Sequence, residues 1–212
     1  MMKKLIYIVA LSCIGMQLHA TIVIGLGEMC TVSGATHTFS LRQAAYPFDW
    51  TIARFGTLYA VLEDDFNHFF EPQSLRVRAD NKGVIDYYGA EFMHDLPTNA
   101  DLLQSDWQDF VPKTYEKYAR RIKRFKEAVA GSEKIYFIRH YGIDKSSAVQ
   151  LRDLIRRKYS TLDFTLVVVS SLQEFKKPWG LERIRNFYLD DSVIWNDGAR
   201  WKTIFQSLGL IP

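Results

Sequence analysis

The sequence predicts an α/β protein: a single domain with a mostly parallel, open sheet, helices on both faces, and an irregular insertion at about residues 71–112. Three observations carry that expectation. Short apolar, β-branched runs recur along the chain, as TIVI at 21–24, KIYFIR at 134–139, FTLVVVS at 164–170 and NFYL at 186–189. Segments of helical period lie between them, and parallel neighbours need crossover connections that are usually helices. The chain has 212 residues, 48% of them hydrophobic and 24% charged, enough apolar material for one packed core and too much for a disordered segment.

The first twenty residues read differently from the rest. Met1 to Lys4 give a positive start, Leu5 to Met16 an apolar run, and Gln17 to Ala20 a polar stretch ending on a small residue. This is the three-part form of a secretory signal, with cleavage expected after Ala20. The apolar run falls short of the roughly 20 residues that a spanning helix needs. The expected organisation is therefore a signal peptide at 1–20 and an α/β domain at 21–212. The protein is then exported, periplasmic or secreted, with no stable membrane span after cleavage. An uncleaved anchor and a lipoprotein cut before Cys13 are the rival readings.

Within the domain, Thr21 to Ile24 is a buried strand broken by Gly25 and Gly27, which points to a tight turn. A helix is expected from about Ile52 to Leu62. A longer one runs from Tyr115 to Ala130, where Tyr118, Ile122, Phe125 and Val129 recur at helical spacing. Lys134 to Arg139 is a strand, Ala148 to Tyr159 a helix, Phe164 to Ser170 and Asn186 to Leu189 strands, and Ala199 to Leu208 a helix. Between them, Pro72, Asn81-Lys82-Gly83, Pro97 and Pro112 punctuate a stretch with no sustained period, the expected insertion or lid.

The 27 basic residues against 24 acidic ones, without a clustered excess, give no footprint for nucleic acid. The loop Gly25-Leu26-Gly27-Glu28-Met29-Cys30 lacks the third glycine of a dinucleotide fingerprint and the Lys-Ser/Thr of a phosphate loop, so no nucleotide cofactor is expected. Histidines 37, 68, 94 and 140 and a single domain cysteine show no zinc-type spacing, so no metal is expected.

Cys30 is the one cysteine left after signal removal, and it lies just past the end of the first strand. In an open α/β sheet ligands bind outside the carboxyl ends of the strands, so Cys30 is expected on the functional rim. A lone cysteine is more commonly a small buried hydrophobe, and that reading stands beside the catalytic one.

Gly27-x-x-Cys30, the segment to Leu41-Arg42, and above all Pro47-Phe48-Asp49-Trp50 resemble a bacterial family of papain-like cysteine peptidases, a domain of unknown function. The resemblance continues through Phe66 to Phe70, Phe92-Met93-His94-Asp95, the Arg120 to Phe125 segment, Ile135 to Arg139, and Trp195 to Trp201. It implies a thiol mechanism with Cys30 as nucleophile, His94 as base, and a peptide or amide-containing substrate. Cys30 and His94 are 64 residues apart, against about 130 in classical papains, so the likeness to papain is one of chemistry rather than topology.

The supporting residues keep two readings each. Asp49 either orients the catalytic imidazole or caps the helix beginning near Ile52. His140, at the end of its strand, is the rival base, while His37 and His68 read as surface or packing residues. Asp95, Asp190, Asp191 and Asp197 are further candidates to orient the base. Trp107, Trp179, Trp195 and Trp201 read as core by default. Two other functions compete: a Rossmann-like transferase or esterase acting on glycans, with Cys30 merely lining the site, and a non-catalytic envelope-binding module.

Overall fold

The computed structural model describes residues 21–190 and 198–212. The expected signal at 1–20 and the candidates Asp191, Trp195 and Asp197 lie outside them. In chain order the elements are β1 (Thr21–Gly25), α1 (Thr31–Thr38), β2 (Thr51–Ile52), α2 (Phe55–Glu63), β3 (Arg76–Val77), β4 (Val84–Ile85), β5 (Glu91–Phe92), β6 (Thr98–Asn99) and β7 (Leu102–Leu103). There follow α3 (Val111–Ala130), β8 (Lys134–His140), α4 (Lys145–Lys158), β9 (Phe164–Ser170), β10 (Ile184–Tyr188) and α5 (Gly198–Ser207).

The expected α/β architecture is what folds. Strands β1-β8-β9-β10 form a four-stranded sheet in that order, and every pairing is parallel. Ile22 stands opposite Ile135, and Ile135 opposite Phe164. Because side chains alternate across a strand, each strand feeds both faces. Ile22, Ile24, Ile135, Phe137, Leu166 and Val168 pack with α2, α3 and α4 in one core. Val23, Ile138, Val167 and Val169 pack with α1 and α5 in the other. Strands buried on both sides read as continuous apolar runs, which is why they stand out in the sequence.

Helix α4 shows how local chemistry sets the ends. Asp144 Oδ1 accepts the Ser147 amide at 2.7 Å, an N-cap, and Arg156, Arg157 and Lys158 occupy the last turn, where cations suit the helix dipole. Its Leu151 and Leu154 are fully buried, and truncating either to alanine costs about 2–5 kcal/mol.

Three local expectations are corrected. The helix expected from Ile52 starts at Phe55, because Thr51–Ile52 pairs antiparallel with Glu91–Phe92. Asp49 therefore does not cap it: the N-cap position is Arg54. Helix α1 has no counterpart in the sequence reading, since TVSGATHT holds three threonines, a serine and a glycine, all weak helix formers.

The insertion is more ordered than its composition suggests. β2-β5-β4-β3 form a small antiparallel sheet, and Val84 and Phe92 reach the main core beside Phe69, Phe70 and Tyr118. Asp86 holds its turn by accepting the amides of Phe70, Tyr88 and Ala90 at 2.9–3.1 Å. Among the described residues, no helix is long and apolar enough to cross a membrane.

Candidate functional site

The chain leaves β1 at Gly25 and turns sharply into α1. Gly25 is closely packed: a Cβ there would lie 3.2 Å from Asp49 Oδ1 and 3.3 Å from Val32, so a side chain would make its neighbours give way. Gly27 adopts φ +73°, a left-handed conformation that glycine reaches without a Cβ penalty, and it packs against Ala53 and the Thr51 carbonyl. Glu28 follows at φ +71°, where a side-chain-bearing residue is strained.

Cys30 ends this turn at the N-cap position of α1, and its carbonyl accepts the Gly34 amide at 2.9 Å. The first amides of a helix lack intrahelical partners, so α1 presents donors beside the thiol, with the positive end of its dipole. Cys30 is half-buried and unpaired in any disulfide. Burial pushes its thiol above the ordinary value, against the smaller opposing pull of its own backbone amide.

Two buried contacts pin α1. Thr31 Oγ1 and His140 Nδ1 share a hydrogen bond at 2.7 Å, tying the residue after Cys30 to the end of β8. Ser33 donates its hydroxyl to Asp49 Oδ1 at 2.9 Å, and Asp49 Oδ2 accepts the Tyr46 amide at 2.9 Å. Arg42 lies 3.7 Å from the same carboxylate. Burial pushes the Asp49 carboxyl up, while these donors pull it down.

His94 is exposed, with its ring edge-on to Trp50 at 5.9 Å between centroids. Thr51 stands opposite Phe92, and the Thr51 carbonyl abuts Gly27, so β2 links the strand that precedes His94 to the turn that ends at Cys30. Asp95 faces away into α3: it accepts the Tyr118 hydroxyl at 2.6 Å and pairs with Lys117 at 2.5 Å. His140 is fully buried, against Tyr141 and edge-on to Trp201. His37 is exposed, and His68 pairs with Glu71 at 3.0 Å. Asp190 is exposed at the end of β10.

A family model described as "Putative papain-like cysteine peptidase (DUF1796)" matches residues 21–174. The chain belongs to that family. The match runs from the first residue of β1 past β9, so it takes in the turn, Cys30, His94 and all but one strand of the parallel sheet. No curated protein and no solved structure matches the chain.

The chemistry that a thiol offers at such a turn is acyl transfer to sulfur. The thiol sits at a strand-to-helix turn, as a nucleophile elbow presents a serine, and the amides of the first helical turn are donors for an oxyanion. The structure does not gather Cys30, His94 and Asp49 into one hydrogen-bonded chain. The described partners of the Asp49 carboxylate are Ser33, Tyr46 and Arg42, so it acts on the helix that carries the thiol.

Sequence reasoning missed Glu28, Thr31, Arg139 and Gly142. Arg139 donates to the carbonyls of Leu26 at 2.8 Å and Ala53 at 3.0 Å, and to Glu28 Oε2 at 2.5 Å. Its signal was available: an arginine inside an otherwise apolar strand must find a buried partner. The carboxylate that answers it could not be chosen from spacing, because Glu28 precedes it by 111 residues.

Proposed function

We propose that the protein is an exported cysteine-dependent hydrolase, a peptidase or amidase, with Cys30 as nucleophile, His94 as general base and Asp49 as a positioning residue for α1. The observation that carries this reading is the placement of a half-buried thiol at the N-terminus of α1, on the carboxyl rim of the parallel sheet, behind a turn held in left-handed conformations. Membership of the peptidase family supports a peptide or amide substrate.

In this mechanism His94 takes the thiol proton as the sulfur attacks the carbonyl carbon, and the amides at the start of α1 receive the negative charge on oxygen. The tetrahedral intermediate collapses as the amine leaves with the proton from His94. Water, deprotonated by the same imidazole, then attacks the thioester and releases the acid and the thiol. Because burial holds the resting thiol protonated, the base acts during attack rather than through a standing ion pair.

His140 supports a second assignment of the base, because it is bonded to the residue next to the nucleophile. Both are tested by acetylating the purified protein with p-nitrophenyl acetate, following p-nitrophenolate release and locating the adduct by mass spectrometry. The expected result is an initial burst of about one equivalent per chain followed by slower turnover, an acetyl group on Cys30, no burst from Cys30→Ser, and a loss of about 10²–10⁴-fold in burst rate in His94→Ala. A loss confined to His140→Ala moves the base to His140. Acyl transfer that survives Cys30→Ser would favour the glycan transferase or esterase. A native Cys30 that never acylates would favour the binding module. Export is tested by fractionation, with the processed form expected to begin at Thr21.

A further inference from the structure

The turn that presents Cys30 is held by a buried ion pair that the mechanism above does not use. Arg139 lies in β8, has no exposed surface, and makes three contacts that join separate parts of the site. One guanidinium nitrogen donates to the carbonyls of Leu26, in the turn, and Ala53, just after β2. The other meets the carboxylate of Glu28 at 2.5 Å. Glu28 is held from the far side as well: at Gly142, with φ +57°, a Cβ would lie 2.6 Å from the Glu28 carboxylate carbon. Arginine suits this task because its planar fork offers several donors in fixed directions.

A left-handed residue inside a turn is ordinarily glycine or asparagine. Glu28 occupies such a position two residues before the thiol, and its carboxylate accepts from Arg139. The backbone between Leu26 and Cys30 is therefore fixed at its start by a carbonyl on Arg139 and at its middle by a side chain on the same guanidinium.

We infer that Glu28 and Arg139 are a positioning pair that fixes the Gly27–Cys30 backbone in the conformation required for acyl transfer by Cys30. The inference rests on the reading of Cys30 as nucleophile. Neither residue touches substrate in this role: they act through the turn.

Positioning and simple access to the thiol respond in opposite ways, and that separates the pair from a purely structural brace. Iodoacetamide needs a thiol that it can reach in its thiolate form but no base or oxyanion donors in register, whereas acetylation from p-nitrophenyl acetate needs thiol, base and oxyanion donors together. Alkylation is therefore followed across pH, to separate access from a change in thiolate fraction. In Glu28→Ala the turn is released, so acetylation of Cys30 is expected to fall at least tenfold while alkylation of the folded protein stays equal or rises. Glu28→Gln keeps an oxygen for Arg139 and is expected to recover most of the acetylation rate. Gly142→Ala, which pushes the carboxylate aside while leaving both charged residues present, is expected to behave like Glu28→Ala.

Acetylation at the wild-type rate in Glu28→Ala overturns the inference, as does a parallel fall in both reactions that tracks loss of folded protein in circular dichroism. A wild-type protein that alkylates but never acetylates refutes the hydrolase reading. In that case faster alkylation in Glu28→Ala but not in Glu28→Gln still establishes that the pair sets the thiol's placement, and equal rates in all three proteins overturn it.

Discussion

Asp49 accepts the hydroxyl of Ser33 and so fastens the Pro-Phe-Asp-Trp segment to the helix that begins beside Cys30. The bond is 2.9 Å long, and both groups are buried. Asp49 also accepts the Tyr46 amide, so one carboxylate fixes its own loop and the nucleophile's helix together. The chemistry of a catalytic acid is not required to explain why an aspartate stands here.

Replacing Asp49 with alanine leaves the Tyr46 amide, the Ser33 hydroxyl and Arg42 without their shared acceptor. Leaving a buried donor unsatisfied costs about 1–3 kcal/mol each, so Asp49→Ala is expected to lower stability by at least about 2 kcal/mol in urea unfolding. Asp49→Asn retains one acceptor oxygen and is expected to fall between the two. Equal unfolding midpoints for all three proteins would refute the brace.

The Cys30 thiol titrates above its ordinary value, because burial disfavours the thiolate. At neutral pH the folded protein is therefore expected to react with iodoacetamide more slowly than the same protein in urea, and its alkylation profile is expected to be centred above pH 9. A profile centred below pH 8 would show a standing thiolate and would replace on-demand deprotonation with a pre-formed ion pair.

Asp86 offers a test by pH. Burial pushes its carboxyl up to about 6, against the amides of Phe70, Ala90, Tyr88 and Gly89. An acid whose folded value lies above its unfolded one binds its proton more tightly when folded. Its contribution to stability is therefore full below about pH 4 and is lost as pH rises through 6. The loss amounts to about 3 kcal/mol, at about 1.4 kcal/mol per unit. Asp86→Asn does not ionise, so the stability gap between wild type and variant should narrow by that amount between pH 4 and pH 7. A gap independent of pH would mean that the four amides keep the carboxylate charged throughout.

Tyr118 closes the backbone beside His94 by donating to Asp95 at 2.6 Å from within the core. Tyr118→Phe is expected to cost about 1.5–3 kcal/mol, the range for a hydrogen bond to a charged group. Lys117 remains on Asp95, so the loop should stay folded. If His94 is the base, Cys30 acetylation should fall in this variant, and if His140 is the base it should not.

The parallel sheet was legible because burial on both faces leaves the strands as unbroken apolar runs, and FTLVVVS matches β9 residue for residue. Helix α3 was legible from Tyr118, Phe125 and Val129 at helical spacing, though its first turn at Val111-Pro112 was hidden by the proline that favours helix starts. Helix α1 was not, because it is pinned by tertiary bonds, Thr31 to His140 and Ser33 to Asp49, rather than by intrinsic propensity. In the site, Cys30 was visible as a lone thiol after a strand. Glu28 and Arg139 were hidden because their pairing depends on a register between β1 and β8 that no local pattern encodes.

That register also sets an order in time. Ile22 meets its partner Ile135 only after more than a hundred further residues have been made, and among the described residues β1 has no other strand beside it. At a synthesis rate of about 5–20 residues per second, the segment carrying the thiol waits for several seconds or longer before its pairing edge exists. Closing so long a loop is slow, and an unpaired β-branched strand invites pairing with other chains meanwhile. Nascent chains that end before β8 therefore carry Cys30 without Arg139, His140 or a sheet to rest on, and any reactivity built at that turn arrives only when the fold is nearly finished.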